Sequence, residues 1–129
     1  MIVLDAAVLI AFLDERDAHH EAAVAVLAAA AEADQELGIS TINLAEVLVV
    51  PAKDGWLTEA TDALARLGVV ELAPSKGAAV LLAQMRARTR LRMPDCWVLE
   101  AAVAHHGQVA TFDVALQAAA RGEGLTVSS

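Results

Sequence analysis

The opening stretch Met1-Ile2-Val3-Leu4-Asp5-Ala6-Ala7-Val8-Leu9-Ile10-Ala11-Phe12-Leu13 decides the fold. Ile2 to Leu4 reads as a short buried strand, one acid interrupts it, and Ala6 to Leu13 reads as a helix that starts at once. The device recurs. Leu37 to Ile42, with β-branched Ile39, Thr41 and Ile42, is a second strand leading into a helix that Asn43 begins and that carries Glu46 one turn in. Gln108 to Phe112 is another strand, and Asp113 begins the helix after it. Asp95 follows Pro94 and opens a helix to His106, ended by Gly107, in which Trp97, Val98, Ala101 and Ala102 suit a buried face. Asp5, Glu46, Asp95 and Asp113 therefore all stand where a strand ends or a helix begins. In an open α/β sheet these ends share one edge, so four acids far apart in sequence can converge on one pocket.

The intervening chain completes the pattern. Asp17 opens a helix from about Ala18 to Ala33, rich in alanine and followed by Gly38. Pro51 stops the Asn43 helix near Val50. Leu57 to Leu67 is a helix closed by Gly68, Val69 to Leu72 is a third strand, and Ser75 caps a helix reaching about Thr89. Leu125 to Val127 adds a last short strand. The order predicts an α/β/α sandwich around a mostly parallel sheet, as one domain over residues 1–129.

Composition narrows the function classes. With 57% hydrophobic residues in 129, the chain can bury an ordinary core. Cys96 is the sole cysteine, which excludes an internal disulfide and fits a reducing compartment. No basic region precedes the apolar start, and the richest apolar stretch, Ala22 to Ala31, is shorter than the roughly 18 to 20 residues a membrane span needs. The sequence therefore reads as soluble and cytoplasmic, without a membrane partner. A net charge of −8 opposes attraction to phosphate backbones, so nucleic-acid binding would need local compensation. Arg86, Arg88, Arg90 and Arg92 supply it, holding four of the nine basic residues just before Asp95; the alternative is a solvated, charged helix end.

Each acid has a structural alternative. Asp5, Asp95 and Asp113 are placed as helix N-caps, and Asn43 with Glu46 matches a cap followed by an acid three residues on. Ser, Thr and Asn cap about as well as Asp, however, so capping does not explain acids at all these ends. Two carboxylates about 4 Å apart repel by roughly 4 kcal/mol at an effective dielectric near 20, and a hard divalent cation resolves that repulsion. All-oxygen donors without paired cysteines favour Mg²⁺ or Mn²⁺ over zinc. Such a site can activate water and neutralise charge on a phosphodiester, which points to hydrolytic cleavage.

Ile2-Val3-Leu4-Asp5, Asn43-Leu44-Ala45-Glu46, Pro94-Asp95 with its alanine-rich helix, and Thr111-Phe112-Asp113 occur in the order and spacing of PIN-domain nucleases. The chain resembles that family end to end, and within it the ribonuclease toxins of VapBC toxin–antitoxin systems. The resemblance implies a Mg²⁺- or Mn²⁺-dependent endoribonuclease with Asp5, Glu46, Asp95 and Asp113 as catalytic and metal-binding acids and Thr111 in support. It also implies an RNA substrate contacted by the arginine segment, a cognate antitoxin, and a homodimer. The chain departs from the family pattern at Ala7, where relatives commonly carry Ser or Asn, and at Val114, Ala115 and Leu116, which lack a further acid.

Other residues suggest less. Adjacent helical positions such as His19-His20 and His105-His106 point about 100° apart, which does not suit a shared metal. Trp56 and Trp97 could stack on RNA bases, although Trp97 sits among core residues. Two rival readings remain. One is a catalytically silent PIN-like interaction module, favoured by Ala7. The other is a receiver-like phosphoryl-signalling domain, which is disfavoured because Ala6-Ala7 follows Asp5 and Val109 to Phe112 lacks a lysine.

Overall fold

The computed structural model describes residues 1–128. Five strands, β1 (Ile2–Leu4), β2 (Leu37–Ser40), β3 (Val69–Leu72), β4 (Gln108–Ala110) and β5 (Val127–Ser128), form one sheet in the order β3-β2-β1-β4-β5. Every pairing is parallel, so the sheet is wholly rather than mostly parallel. Seven helices are described: α1 (Ala6–Leu13), α2 (His20–Glu32), α3 (Thr41–Asp54), α4 (Leu57–Arg66), α5 (Ala78–Thr89), α6 (Met93–Ala104) and α7 (Val114–Gly122).

The alternation of strand side chains divides the core in two. Ile2, Leu4, Leu37, Ile39 and Ala110 pack with α1, α2, α3 and α4 on one face, while Val3, Leu72 and Val109 pack with α5, α6 and α7 on the other. Burial on both faces is why the central strand β1 reads as an unbroken apolar run, whereas the edge strand β3 exposes Val70 and Glu71. Strand succession runs outward from β1 to β3 and then reverses across β1 to β4. The crevice between the carboxyl ends of β1 and β4 is therefore the topological switch point, where an α/β sheet opens a binding site.

Several boundaries differ from the sequence expectation, each for a local reason. Gly38 does not end the preceding helix; it lies inside β2, where an added Cβ would stand 2.6 Å from Leu72 Cδ1. Asp17 organises a turn instead of opening α2, its carboxylate accepting from the His19 amide at 2.8 Å. Ser40, not Asn43, caps α3, accepting from the Asn43 amide at 3.3 Å and so ending β2 two residues early. Pro51 stays inside α3: its ring is buried and the helix continues until Gly55 adopts φ +84° and donates to the Pro51 carbonyl. Ser75 does not cap α5, because its hydroxyl is claimed by the buried Glu100 and the helix starts after Gly77. Asp95 is not an N-cap either. Arg92 holds that place, Pro94 fits the first turn, where no intrahelical N–H partner is needed, and Asp95 follows within it.

Candidate active site

Asp5 leaves β1 at the switch point, and its backbone N–H donates to the Ala110 carbonyl at 2.9 Å, pinning the end of β1 to the end of β4. The carboxylate is buried yet makes no capping hydrogen bond to α1. Its partner is Thr111. The Thr111 hydroxyl donates to Asp5 Oδ2 at 2.7 Å and accepts from the Asp113 amide at 3.1 Å. Gln117 Nε2 closes the loop by donating to the Thr111 carbonyl at 2.9 Å. Thr111 lies one residue beyond β4, so its hydroxyl is placed by this network and not by continued strand pleating.

Asp113 is exposed at the rim and caps α7, with Oδ1 accepting from Ala115 and Leu116 amides at 2.8 and 3.1 Å. The capping alternative thus describes one of its oxygens. Asp95 is buried in the first turn of α6, and Glu46 is exposed on α3. Asn43 connects these two helices. Fully buried, it donates from Nδ2 to the Pro94 carbonyl at 3.1 Å and accepts from the Ser40 hydroxyl, tying the starts of α3 and α6 together.

The electrostatics bind the four acids into one group. Burial raises the pKa of Asp5 above the ordinary carboxylate range, the Thr111 hydrogen bond counters it, and the Asp113 charge adds to the rise. Glu46 is raised by desolvation and then by Asp5, with Arg92 opposing and Asp95 adding. Asp95 is raised by desolvation and then by Asp5, again opposed by Arg92. Asp5, Glu46 and Asp95 are each destabilised in part by other acids of the set, which is the condition a cation relieves. Raised folded-state values mean that the native protein holds these protons more tightly than the unfolded chain. Stability therefore falls as pH rises from the unfolded values of 3.8 and 4.5 through the raised ones, and stays low above them. In EDTA the unfolding temperature should be higher at pH 5 than at pH 7.5, and Mg²⁺ should recover the loss at pH 7.5; a rise toward pH 7.5 in EDTA would contradict this.

The donor set fits a particular kind of ion. Among the described residues, no group of three or more His, Cys, Asp or Glu side chains stands close enough to hold a metal ion together. A small hard ion such as Mg²⁺ uses one or two carboxylates and keeps its waters, and the buried Asp5 and Asp95 offer such a pair.

The four arginines do not form one patch. Arg88 is committed to Glu123 on the far flank of α7, through contacts of 2.9 Å from Nε and 2.7 Å from Nη2. Arg90 ends α5 with φ +60°, and Arg92 places Nε 3.8 Å from Asp95 Oδ2. Sequence reasoning missed Asn43 as a strut and Glu100 altogether. Glu100 lies five residues after Asp95, about 140° round α6, and holds Ser75 through hydrogen bonds from its amide at 3.2 Å and from its hydroxyl. Nothing in an isolated Glu within an apolar helix signals that tether. Trp97 packs against the core, and neither histidine pair meets a shared partner: His20 Nδ1 pairs with the Ala11 carbonyl at 2.7 Å, while the His19 ring stacks on Phe112.

Comparison with known proteins places this arrangement. No curated protein sequence matches the chain. A toxin–antitoxin complex from Klebsiella pneumoniae is similar at 23% identity, over 92% of this chain and 91% of that one, with a TM-score of 0.72. The structure of FitAB bound to an IR36 DNA fragment is similar at 25% identity, over 98% and 93%, with a TM-score of 0.74. VapC20 of Mycobacterium tuberculosis, a sarcin-ricin loop cleaving toxin, is similar at 19% identity, over 92% and 95%, with a TM-score of 0.66. A sequence model described as PIN domain matches residues 2–122, from the first residue of β1 to the last of α7. By that match the chain belongs to the PIN domain family.

Proposed function

We propose that this protein is a divalent-metal-dependent endoribonuclease acting as the toxin of a toxin–antitoxin pair, within a single PIN domain. The observation that carries the reading is the approach of acids from four different segments: the charged forms of Asp5, Glu46 and Asp95 are disfavoured by burial and by one another, and the Asp113 charge acts on Asp5 and Asp95. Asp5 and Asp95 would hold Mg²⁺ or Mn²⁺, which supplies charge neutralisation at the phosphodiester and lowers the pKa of attacking water. Thr111 fixes the rotamer of Asp5 through its hydroxyl. Glu46, exposed and with a raised pKa, is suited to take up the proton that the attacking water releases. Asp113 keeps one oxygen for α7 and turns its charge toward the buried pair. The receiver-like alternative falls with the family match.

The antitoxin reading draws on the toxin–antitoxin structures among the similar folds. A groove of about 370 Å³ sets apolar Ile10, Leu13, Val47, Val50, Pro51 and Trp56 beside Asp14, Glu46 and Asp54, with Arg16 the one basic side chain, a balance that suits a partner segment bearing apolar and basic side chains. Exposed Val24 on α2 and Val103 on α6 are apolar residues that a second copy of the chain would cover if it docked on those two helices. In such a system the protein works in the cytoplasm.

The deciding experiment incubates antitoxin-free protein with a pool of structured RNAs in Mg²⁺, Mn²⁺ or EDTA. Discrete metal-dependent cuts support the reading; folded protein that makes none is the silent module. RNA affinity adds a second check, measured by fluorescence anisotropy on the inactive Asp5→Asn protein. Arg90→Ala and Arg92→Ala should each lower the salt slope by about 0.7, one phosphate contact on single-stranded RNA. Arg88→Ala should leave it unchanged, since Glu123 already holds that guanidinium. Equal effects from all three would refute this division.

A further inference from the structure

Beside the acids lies an aromatic pair that the cleavage chemistry does not use. The His19 imidazole stacks on the Phe112 ring with centroids 4.8 Å apart and planes inclined by only 10°. Phe112 is flanked in sequence by Thr111, which holds Asp5, and by Asp113. Its side chain turns the other way, into the core beneath α1 and α2. The stack therefore stands just beyond the carboxyl end of β4, the end from which Thr111 reaches Asp5, with His19 covering Phe112 from the α1–α2 connection. One face of the imidazole is covered by Phe112, while 59% of the His19 side chain remains exposed.

The backbone that carries the ring is also held from behind. The His19 amide donates to Asp17 Oδ1 at 2.8 Å, and the neighbouring His20 ring anchors the turn to the Ala11 carbonyl at 2.7 Å. Neither contact uses the open face. A flat, fixed ring with one free face beside a phosphodiester-cleaving site has the form of a stacking platform. Packing alone requires none of this, because Phe112 already fills the core below.

We infer that the His19–Phe112 stack is a nucleobase subsite, on which a base flanking the cleaved phosphate lies against the open face of His19 and completes a three-ring stack. This rests on the endoribonuclease reading and adds the determinant that sets where along the RNA the cut falls. Stacking tolerates any base, so the subsite demands an unpaired nucleotide and not a particular letter.

The test uses the full-length protein and a cleaved RNA in which each nucleotide near the cut is replaced in turn by an abasic one. Wild type should lose affinity at one flanking position. His19→Ala should raise KM on intact RNA roughly 5- to 150-fold with little change in kcat, and become indifferent to the abasic residue at that position. His19→Phe should restore both the KM and the abasic sensitivity, which a merely structural role would not do. His19 is exposed and gives α2 no side-chain cap, so these variants spare the fold. Wild-type KM and an unchanged abasic profile in His19→Ala would overturn the inference while leaving the nuclease reading intact. Wild-type protein that cleaves no RNA in Mg²⁺ or Mn²⁺ would overturn both.

Discussion

Asp5→Asn should abolish metal-dependent RNA cleavage while making the metal-free protein more stable. The two effects share one cause. The Asp5 carboxylate is buried next to Asp113 and within the field of Asp95 and Glu46, so its charged form is strained in the absence of a cation. An asparagine amide has nearly the same shape and can still accept the Thr111 hydroxyl at the place where Oδ2 now does, at 2.7 Å. The substitution thus removes charge and leaves packing. A divalent ion contributes several kcal/mol of charge stabilisation in such reactions, and at 1.36 kcal/mol per decade its loss amounts to about a thousand-fold in rate. The readouts are single-turnover cleavage and thermal unfolding in EDTA. Residual cleavage within about tenfold of wild type would remove Asp5 from the centre of the mechanism.

Asn43→Ala should have the opposite signature, a less stable protein whose chemistry is blurred but not erased. Asn43 is 1% exposed and joins the end of β2 to the start of α6 through Ser40 and the Pro94 carbonyl. Truncation leaves the Ser40 hydroxyl and that carbonyl without their partner, at about 1–3 kcal/mol for a buried group left unmade. With the side-chain volume also lost, a total near 3 kcal/mol would lower the unfolding temperature by roughly 10 °C. Glu46 and Asp95 stand on the two helices so joined. Their relative position should loosen, with activity falling roughly 10- to 100-fold and a higher metal concentration needed to reach it. Cleavage measured well below the unfolding temperature separates the two effects. Wild-type activity and metal dependence there would reduce Asn43 to a stabilising residue.

These two residues also mark what the sequence made legible. Asp5 could be read because its surroundings are local: three apolar residues before it and a helix immediately after fix both strand and turn. Val69–Leu72 was legible to the residue for the same reason. Asn43 was misread as a helix cap because its chemistry suits a cap. Its true partner, the Pro94 carbonyl, is 51 residues away and leaves no trace in neighbouring residues. Asp95 was placed correctly at a helix start but not at the right position in it, since the competition between Arg92 and Asp95 for the cap depends on how α6 packs. The arginine segment read as one source of positive charge because the commitment of Arg88 to Glu123, 35 residues on, leaves no trace in composition. Patterns of hydrophobicity thus reported the elements and the edge they share, while the links across that edge depended on tertiary packing.

The hydrogen bond from Thr111 to Asp5 spans 106 residues of sequence. A ribosome makes Thr111 long after Asp5, and β1 receives its neighbour β4 only after everything between them has been synthesised. Parallel pairings of this kind are slow to form, because a long loop must close before any contact rewards it. A fragment that stops short of β4 therefore lacks one wall of the crevice, the hydroxyl that orients Asp5, and Asp113. If the proposed ribonuclease reading holds, this topology acts as a timer: the growing chain, made amid RNA, carries no assembled site, and competence arrives together with the last strands of the fold.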